Sequence, residues 1–322
     1  MRAVVLSQFG DESVLQIGEV EQPSIGPDDL RIRVMTTSVN RADLLQRSGH
    51  YPPPPGASPV LGLECAGEVI EVGANVMGWS VGERAMALLP GGGYAEEAVV
   101  HAGSAMHVPD ALNDDEAGAF PEVFLTAFLN IFDLGRARRG EIVLIHGGGS
   151  GVGTAATTLS KLAGLKVIVT AGSDDKCAKC RAHGADVAIN YRREDFVEHA
   201  GKDVDIVLDH IGARYLIRDL QVLRTGGRVL IIGSMGGDRY AQIDVASLLG
   251  KRQQIIGSTL RARPVEEKEQ IVRSFLARFG DDLNAGRIKP AIHAVLPLES
   301  VAEAHRMMKN GEHFGKIVLR VA

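Results

Sequence analysis

The amino-acid sequence predicts an α/β protein in which a mainly antiparallel β domain accompanies a doubly wound sheet of six parallel strands. Up to about residue 121, short extended runs such as 31–34, 66–72 and 95–100 are broken by Gly and Pro. From Ile142 onward, short apolar runs alternate with helical patterns. A chain of 322 residues also exceeds the usual size of a single core, so two domains are expected.

The parallel sheet is predicted from six apolar runs with helical patterns between them. Such runs are typical of strands that are buried on both faces and joined by crossover helices. The runs occupy residues 142–145, 167–170, 187–189, 206–208, 229–232 and 255–258.

The C-terminal tail resembles the first domain in its pattern more than it resembles the parallel sheet. A helical pattern at 266–278 is followed by an extended run at 291–296, a helical pattern at 301–308 and a final strand at 317–320. We therefore expect the tail, residues 263–322, to complete the domain begun by residues 1–122. The dinucleotide-binding domain, residues 123–262, is then an insertion.

Composition and charge exclude several classes of protein. Hydrophobic residues make up 45% of the chain and charged residues 23%, which is ordinary for a globular protein. A formal net charge of -5 argues against a nucleic-acid partner, and no apolar run approaches a membrane-spanning length. Three cysteines are too few for a disulfide scaffold, which fits a reducing compartment. We therefore expect a cytoplasmic protein, and because no long apolar run is present we expect no membrane partner.

Cys177 and Cys180 form a lone CxxC pair. No second cysteine pair or histidine cluster completes a zinc set around them. The preceding residues, 173–176, resemble a helix cap, so we expect both cysteines to lie within a helix and to carry no chemistry.

A glycine-rich turn predicts the cofactor site. The run Ile142–Ile145 leads into His146 and then a loop with glycines at 147, 148, 149, 151 and 153, followed by a helix through Leu162. Glycines at such a turn let backbone amides and a helix N-terminus meet a pyrophosphate. The spacing differs from the strict GxGxxG, but the alternating strands and helices support the interpretation. The expected contacts are Gly149, Ser150, Gly151, Val152 and Gly153.

The end of the second strand favours NADPH as the cofactor. An NAD enzyme places an acid there to bind the ribose 2′-hydroxyl, whereas this strand ends in Thr-Ala-Gly-Ser at 170–173. Ser173, Lys176 and Tyr191 could instead hold a 2′-phosphate. Asp174 and Asp175 weaken this inference, and Lys176 has the alternative of being a solvated residue of the first helical turn.

The sequence resembles the zinc-independent quinone oxidoreductases, the zeta-crystallin-like branch of the medium-chain dehydrogenase/reductase superfamily. The resemblance runs essentially end to end and is strongest with the tumour-suppressor-inducible quinone oxidoreductases and their bacterial relatives. Its motifs are Asn-Arg-Ala-Asp-Leu-Leu-Gln-Arg-Ser-Gly-His-Tyr-Pro-Pro-Pro-Pro-Gly at 40–56, Leu-Gly-Leu-Glu at 61–64, Ala-Gly-Glu-Val at 66–69, Pro-Glu at 121–122, Leu-Thr-Ala at 125–127, Asn-Tyr at 190–191 and Gly-Lys-Ile-Val-Leu at 315–319.

The resemblance implies a GroES-like catalytic domain, a Rossmann NADPH-binding domain and the 2′-phosphate role of Ser173, Lys176 and Tyr191. It also implies a homodimer paired through edge strands, for which residues 254–258 are a plausible edge. Further cofactor contacts are implied for Asn40, Thr126, Gly233, Ser234, Leu260 and Lys316.

Zinc alcohol dehydrogenases of the same superfamily hold a catalytic zinc by cysteine and histidine, and these ligands are absent here. Ser38 stands near the position of a cysteine, and Leu63 replaces the histidine of a Gly-His-Glu motif. Glu64 remains, either as part of the site or as a structural carboxylate. The sequence therefore predicts no metal.

Hydride transfer from NADPH to a quinone is the predicted reaction, with the cofactor carrying the chemistry. Tyr51, through its phenol, and Asn40, through its amide near the nicotinamide ribose, are the candidates for orienting the acceptor. Each has a structural alternative: Tyr51 could pack in its proline loop, and Asn40 could cap the turn into Arg41–Arg47. Neither is established as a proton donor, and water could protonate the product.

Other functions stay open at this point. Reduction of an activated carbon–carbon double bond, as in an enone or acyl thioester, uses the same hydride. A coenzyme A tail would favour a basic entrance at Arg261 and Arg263, which could equally be exposed charges. A structural or RNA-binding zeta-crystallin-like role is the non-enzymatic alternative. Hydrolysis is a remote alternative, because Gly149-Ser150-Gly151 lacks the G-x-S-x-G spacing.

Overall fold

The computed structural model describes residues 1–322. Its strands are β1 (Arg2–Leu6), β2 (Leu15–Glu19), β3 (Asp29–Ser38), β4 (Glu64–Val72), β5 (Arg84–Leu88), β6 (Glu97–His101), β7 (Ala105–His107), β8 (Ile142–Ile145), β9 (Lys166–Ala171), β10 (Val187–Asn190), β11 (Val204–Asp209), β12 (Leu223–Ile231), β13 (Gln254–Gly257), β14 (Ile292–Pro297) and β15 (Lys316–Arg320). Its α-helices are α1 (Arg41–Arg47), α2 (Asp114–Ala117), α3 (Pro121–Phe128), α4 (Gly151–Leu162), α5 (Asp174–Ala182), α6 (Phe196–Ala200), α7 (Ala213–Val222), α8 (Val245–Lys251), α9 (Val265–Asn284) and α10 (Val301–Asn310).

The chain folds into two compact units. We call Met1–Leu125 with Leu260–Ala322 the split unit, and Thr126–Thr259 the central unit. The chain passes between them within α3 and after Thr259, whereas the sequence places the boundaries after residues 122 and 262. The helical periodicity of α3 continues across the first boundary, so it gives no local signal there.

The split unit is built on a mainly antiparallel sheet with the strand order β14-β15-β3-β4-β5-β7, in which β6 also pairs with β3. Strands β14 and β15 are parallel, and β1 pairs with β2 in a separate two-stranded sheet. The C-terminal strand β15 is antiparallel to β3, with Val318 opposite Ser38. This pairing brings Lys316 beside the segment that follows β3.

Two apolar clusters fill the split unit. One contains Leu30, Ile32 and Val34 on one side of β3, which face Cys65 and Val69 of β4. The alternation of these apolar residues with Arg31 and Arg33 is the period-two pattern of a sheet with one covered face. The other cluster joins the N-terminal strand, α1, α10 and β15.

The central unit is a parallel sheet with the strand order β10-β9-β8-β11-β12-β13, and all five pairings are parallel. The order reverses between β8 and β11, which is the point where ligands bind in doubly wound sheets. Strands β8 and β11 are buried almost throughout. This burial explains their continuous apolar sequences. The antiparallel sheet of the split unit and the six-stranded parallel sheet of the central unit together confirm the predicted α/β fold, with its GroES-like sheet and its Rossmann sheet.

The ten α-helices include none that combines the length and the apolar character needed to cross a membrane.

Candidate active site

The glycine-rich loop joins β8 to α4 at the carboxyl end of the parallel sheet. Ser150 caps α4, because its side chain accepts a hydrogen bond from Gly153 N at 3.0 Å. The amides of Gly151 and Val152 lie in the first turn, where a helix offers them no acceptor. This end of α4 is therefore a set of donors suited to a pyrophosphate.

The loop is packed so closely that a side chain could not replace Gly147 or Gly153 without a shift of the chain. Gly147 has a φ of 63°, and a Cβ atom on it would lie 2.3 Å from His210 Cε1. A Cβ atom on Gly153 would lie 2.4 Å from the Gly147 carbonyl oxygen. The backbone thus forms a cradle that stays open only with glycine, and these residues fit a dinucleotide.

The loops after β11 and β12 lie at the same end of the sheet. A Cβ atom on Gly233 would lie 3.1 Å from His210 O, and one on Gly212 would lie 3.0 Å from Gly233 O. Ser234 follows in an exposed position. Gly233 and Ser234, which the resemblance assigns to the cofactor, therefore lie with the loop that contains His210, against which Gly147 packs.

Ser173, Lys176 and Tyr191 lie at the carboxyl ends of the adjacent strands β9 and β10. The Tyr191 hydroxyl packs against Gly172, where an added Cβ atom would lie 2.7 Å from Tyr191 Oη. The Ser173 hydroxyl accepts a hydrogen bond from Lys176 N at 3.2 Å, which confirms the predicted cap of α5. Burial lowers the pKa of Lys176, and the charges of Lys179 and Arg192 lower it further.

The two acids that weakened the NADPH interpretation are both paired. Asp174 accepts hydrogen bonds from Asn190 Nδ2 at 2.6 Å and from Arg193 Nη1 at 2.8 Å. Asp175 pairs with Lys179 at 2.9 Å. Arg192, an exposed cation whose charge acts on Lys176, was not predicted from the sequence. Its position directly after Asn190 and Tyr191 was the available signal.

In the split unit, Glu64 is the centre of a buried polar cluster. Its Oε1 atom accepts hydrogen bonds from Ser38 Oγ at 2.5 Å and Asn40 Nδ2 at 2.8 Å. Lys316 Nζ donates to the same atom at 2.9 Å. The Glu64 side chain is fully buried, so this carboxylate is held by the fold as a structural group.

Lys316 and Asn40 are engaged within this cluster. The ammonium group of Lys316 donates to Glu64, to Asn40 Oδ1 at 2.6 Å and to Val39 O at 3.2 Å. An ammonium group has three donors, so none is left for a ligand. The direct cofactor contact expected of Lys316 is therefore not supported. Asn40 is also the N-cap residue of α1, and its amide is bound at both ends.

Asp43 is a second buried carboxylate beside this cluster. It accepts hydrogen bonds from Asn40 N at 2.7 Å, Gly62 N at 3.1 Å and Tyr94 Oη at 3.1 Å. Burial raises the pKa of Asp43 to about 6. No role was predicted for it from the sequence, and the structure shows that it joins α1 to two other segments.

Tyr51 lies under the guanidinium group of Arg261, whose Cζ atom is 5.3 Å from the ring centroid. Burial and the nearby carboxyl group of Glu122 raise the pKa of the Tyr51 phenol. Arg261 itself is buried and donates to Pro90 O at 2.7 Å and to Gln46 Oε1 at 2.6 Å. The interpretation of Arg261 as an exposed charge or a basic entrance is therefore wrong, because its donors bind the protein.

Thr126 and Leu260, the other two residues implied by the resemblance, are in different units. Thr126 is half-buried on α3, and its carbonyl oxygen accepts a hydrogen bond from Asn130 Nδ2 at 2.8 Å. Leu260 is buried in the split unit. Their cofactor contacts stay predictions.

The residues near Glu64 do not fit a catalytic zinc. Leu63 is buried and has no ligand atom, and the Ser38 hydroxyl is used as a donor to Glu64. No cysteine thiolate or imidazole is available at these positions. Zinc independence stays a prediction, and no step of the chemistry below needs a metal.

A buried cluster in the central unit was not predicted from the sequence. His146 Nε2 lies 2.8 Å from Asp219 Oδ1, and His146 Nδ1 lies 3.1 Å from Thr170 Oγ1. Asp209 lies close enough that one ligand atom from each of His146, Asp209 and Asp219 falls within 4.8 Å of the others. Both imidazole nitrogens are already used, so the cluster ties β8 to β9 and α7 behind the glycine loop.

Cys177 and Cys180 lie in α5, as predicted, and the structure shows that both thiols are buried; Cys65 is buried in β4. Burial raises the pKa of Cys180 to about 12, so its thiol is unreactive near neutral pH.

Two protein-family models match this chain, and the matched residues include parts of both units. The alcohol dehydrogenase GroES-like domain matches residues 26–110, and the zinc-binding dehydrogenase family matches residues 183–319. The quinone oxidoreductase of Rattus norvegicus is 31% identical over 327 residues, which cover 99% of this chain and 97% of that protein.

A second curated relative is much longer. It is a phenolphthiocerol/phthiocerol polyketide synthase polypeptide of Mycobacterium tuberculosis, which is 31% identical over 324 residues, or 98% of this chain. The match spans only 14% of the length of that polypeptide.

Solved structures share the whole fold. The quinone oxidoreductase of Escherichia coli complexed with NADPH superposes with a TM-score of 0.86 at 25% identity and covers 100% of both chains. An NAD-dependent alcohol dehydrogenase gives a TM-score of 0.85 at 32% identity, also over 100% of both chains. With its GroES-like sheet, its dinucleotide-binding fold and this end-to-end similarity, the chain belongs to the medium-chain dehydrogenase/reductase superfamily of oxidoreductases.

Proposed function

We propose that the protein is a zinc-independent NADPH:quinone oxidoreductase. The observation that carries the choice of cofactor is the group Ser173, Lys176 and Tyr191 at the ends of β9 and β10. Arg192 adds positive charge there, and the neighbouring acid Asp174 is paired with Arg193. A 2′-phosphate carries two negative charges near neutral pH, which suits such a site.

The glycine loop and the N-terminus of α4 would hold the pyrophosphate of the cofactor through the amides of Gly151 and Val152. When bound, the reduced nicotinamide supplies a hydride, which an electron-poor conjugated carbonyl accepts without a metal. The protein then has to bind and orient the acceptor and provide a proton.

Tyr51 is the proposed orienting residue for the acceptor. Its phenol has an ordinary pKa of 10.0, which burial raises further, so it is protonated at neutral pH and can donate a hydrogen bond to a quinone oxygen. Asn40 has a weaker case, because Glu64 and Lys316 already bind both ends of its amide.

The quinone as acceptor is supported by similarity to quinone oxidoreductases over 99% of this chain. Reduction of an enone or enoyl thioester is the second candidate, favoured by similarity of 98% of the chain to a segment of a polyketide synthase. The burial of Arg261 removes one reason to expect a coenzyme A tail.

Stopped-flow oxidation of NADPH and NADH distinguishes these candidates. Without added metal, the protein is mixed with an ortho-quinone, a para-quinone and a simple enone. NADPH-selective turnover of a quinone is the expected result. Turnover of the enone alone would make the protein a double-bond reductase, and faster turnover with NADH would overturn the cofactor assignment.

We also propose a homodimer, formed through β13. This strand is at the edge of the parallel sheet, and Ile255 and Ile256 are only half-buried. An exposed edge with apolar side chains is a template for pairing with a second chain. Light scattering should give twice the mass of one chain, and Ile256→Asp should give the mass of one chain, while Ile217→Asp on α7 should not. A wild-type monomer would contradict the proposal.

A further inference from the structure

In the split unit, the carboxyl group of Glu122 has a buried oxygen that accepts no hydrogen bond. Glu122 is the second residue of α3, and its backbone N–H donates to Glu64 Oε2 at 2.9 Å. Its own Oε2 atom is buried and has no hydrogen-bond partner. A buried oxygen without a partner costs about 1–3 kcal/mol, so its presence in a folded protein requires a reason.

The groups that act electrostatically on Glu122 come from several elements. They are Glu64 of β4, Asp43 of α1, Tyr51 of the loop after α1, Arg261 of the segment before α9, Lys268 of α9 and Lys316 of β15.

Arg261 and Lys316 do not neutralise Glu122 by hydrogen bonding. Arg261 donates to Pro90, Tyr51 and Gln46, and Lys316 donates to Val39, Asn40 and Glu64. The fold therefore places a carboxyl group beside three cations and leaves its buried oxygen without a donor.

Burial and the negative charge of Glu64 raise the pKa of Glu122 to about 8. Glu122 is accordingly mostly a neutral carboxylic acid at pH 7, whereas an ordinary glutamate is ionised. An acid with a pKa near the working pH transfers protons most effectively, because it is both protonated and a good donor. The phenol of Tyr51 is a weaker acid, because its own pKa is raised.

We infer that Glu122 is the acid that protonates the reduced acceptor, an assignment that rests on the proposed quinone reductase function. The residue is half-buried as a whole, and its carboxyl group acts electrostatically on the phenol of Tyr51. The proton donor thereby becomes a residue of the split unit, in place of bulk water.

The proposed step balances atoms and electrons. The acceptor gains two electrons and one hydrogen as hydride from the reduced nicotinamide and becomes a monoanion. Its oxygen then takes the proton of the Glu122 carboxyl group, so that a new O–H bond forms as the O–H bond of Glu122 breaks. One proton from the solvent then restores the Glu122 carboxylic acid, so that each turnover consumes one hydride and one solvent proton.

Infrared difference spectroscopy of the protein alone tests the acid without relying on turnover. The wild-type protein should lose a protonated-carboxyl band as the pH is raised through about 8, and Glu122→Gln should lack that band. Glu266→Gln is the matched control, because Glu266 is also the second residue of its helix, α9, and is exposed. A band that is absent from the wild type, or present in Glu122→Gln, would overturn the assignment.

Kinetics test the role of the acid. Glu122→Gln should lower kcat with a quinone by about 100-fold or more, with a much smaller effect on KM. The wild-type kcat should fall above a pH of about 8 with a solvent isotope effect, and the variant should lose both features. Glu122→Asp, which keeps an acid, should recover part of kcat and the pH dependence, and Glu266→Gln should match the wild type.

Two failures are distinguishable. If the wild-type protein reduces no quinone or enone, the proposed function fails, and the role of Glu122 fails with it. If the wild type is active and Glu122→Gln keeps its kcat, pH profile and isotope effect, the role of Glu122 alone is wrong.

Discussion

Lys316 Nζ lies 2.9 Å from Glu64 Oε1, although 252 residues separate the two in sequence. The contact forms because β15 pairs with β3 and β3 pairs with β4 in one sheet. It is an ion pair in which both side chains are almost completely removed from water. Such a pair is costly to break, since either charge alone would be buried without compensation.

Replacing Lys316 by Met should therefore destabilise the protein by roughly 3–5 kcal/mol. Glu64 would keep the hydrogen bonds from Ser38 and Asn40 but lose its counter-charge. Urea unfolding followed by circular dichroism measures the change. Lys309→Met is the control, because the pair of Lys309 with Glu12 is exposed and should contribute less than about 1 kcal/mol. Equal effects of the two substitutions would show that burial of the pair is unimportant.

Replacing Arg192 by Ala should weaken NADPH binding by about tenfold and leave NADH binding unchanged. The charge of Arg192 acts beside Lys176, and a charge-assisted hydrogen bond contributes roughly 1.5–3 kcal/mol, less at an exposed site. Fluorescence titration with both cofactors measures the ratio. Lys179→Ala is the control, because Lys179 is exposed and already pairs with Asp175. Equal weakening of NADPH and NADH would contradict a 2′-phosphate role.

Replacing Gly153 by Ala should raise the Kd for NADPH at least about tenfold, because the added Cβ atom would lie 2.4 Å from the Gly147 carbonyl oxygen. The loop would have to shift away from the position in which its amides face a pyrophosphate. Gly250→Ala on α8 is the control, since nothing lies within 4 Å of its added Cβ atom. Calorimetric titration with NADPH compares the two, and unchanged affinity in Gly153→Ala would show that the cradle is not needed.

His305 should make the protein less stable as the pH falls. Burial and the charge of Arg47 lower the pKa of His305 to about 3, from an ordinary value of 6.5. Between these values the unfolded chain binds a proton that the folded protein does not, so stability is lost as the pH falls through this window. The slope from this one group is at most about 1.4 kcal/mol per pH unit.

Urea unfolding between pH 7 and pH 4 of the wild type and of His305→Gln isolates the effect of His305, because other carboxyl groups act equally in both proteins. The wild type should show the steeper loss of stability. His50→Gln, which replaces an exposed histidine, should keep the wild-type slope. Parallel slopes in the wild type and in His305→Gln would contradict the burial of a neutral imidazole.

Several elements follow from local sequence alone. The six buried strands of the central unit are readable because each is a short apolar run between helical patterns. The caps of α4 and α5 are readable because Ser150 and Ser173 stand just before a helix and offer an acceptor for its free amides. The strict alternation in β3 similarly predicts one covered face.

The polar groups of the candidate site also fall into two sets, those that local sequence predicts and those that only the folded structure reveals. The sequence by itself determined the glycine cradle and the places of Ser173, Lys176 and Tyr191, because helix starts and strand ends are local features that residue type specifies. Only the tertiary structure decided that Lys316 forms a buried ion pair with Glu64, that Arg261 is buried and that the Glu122 carboxyl group has a buried oxygen without a hydrogen-bond donor. These contacts join residues far apart in the chain, and they depend on which strands pair and on the register in which they do so.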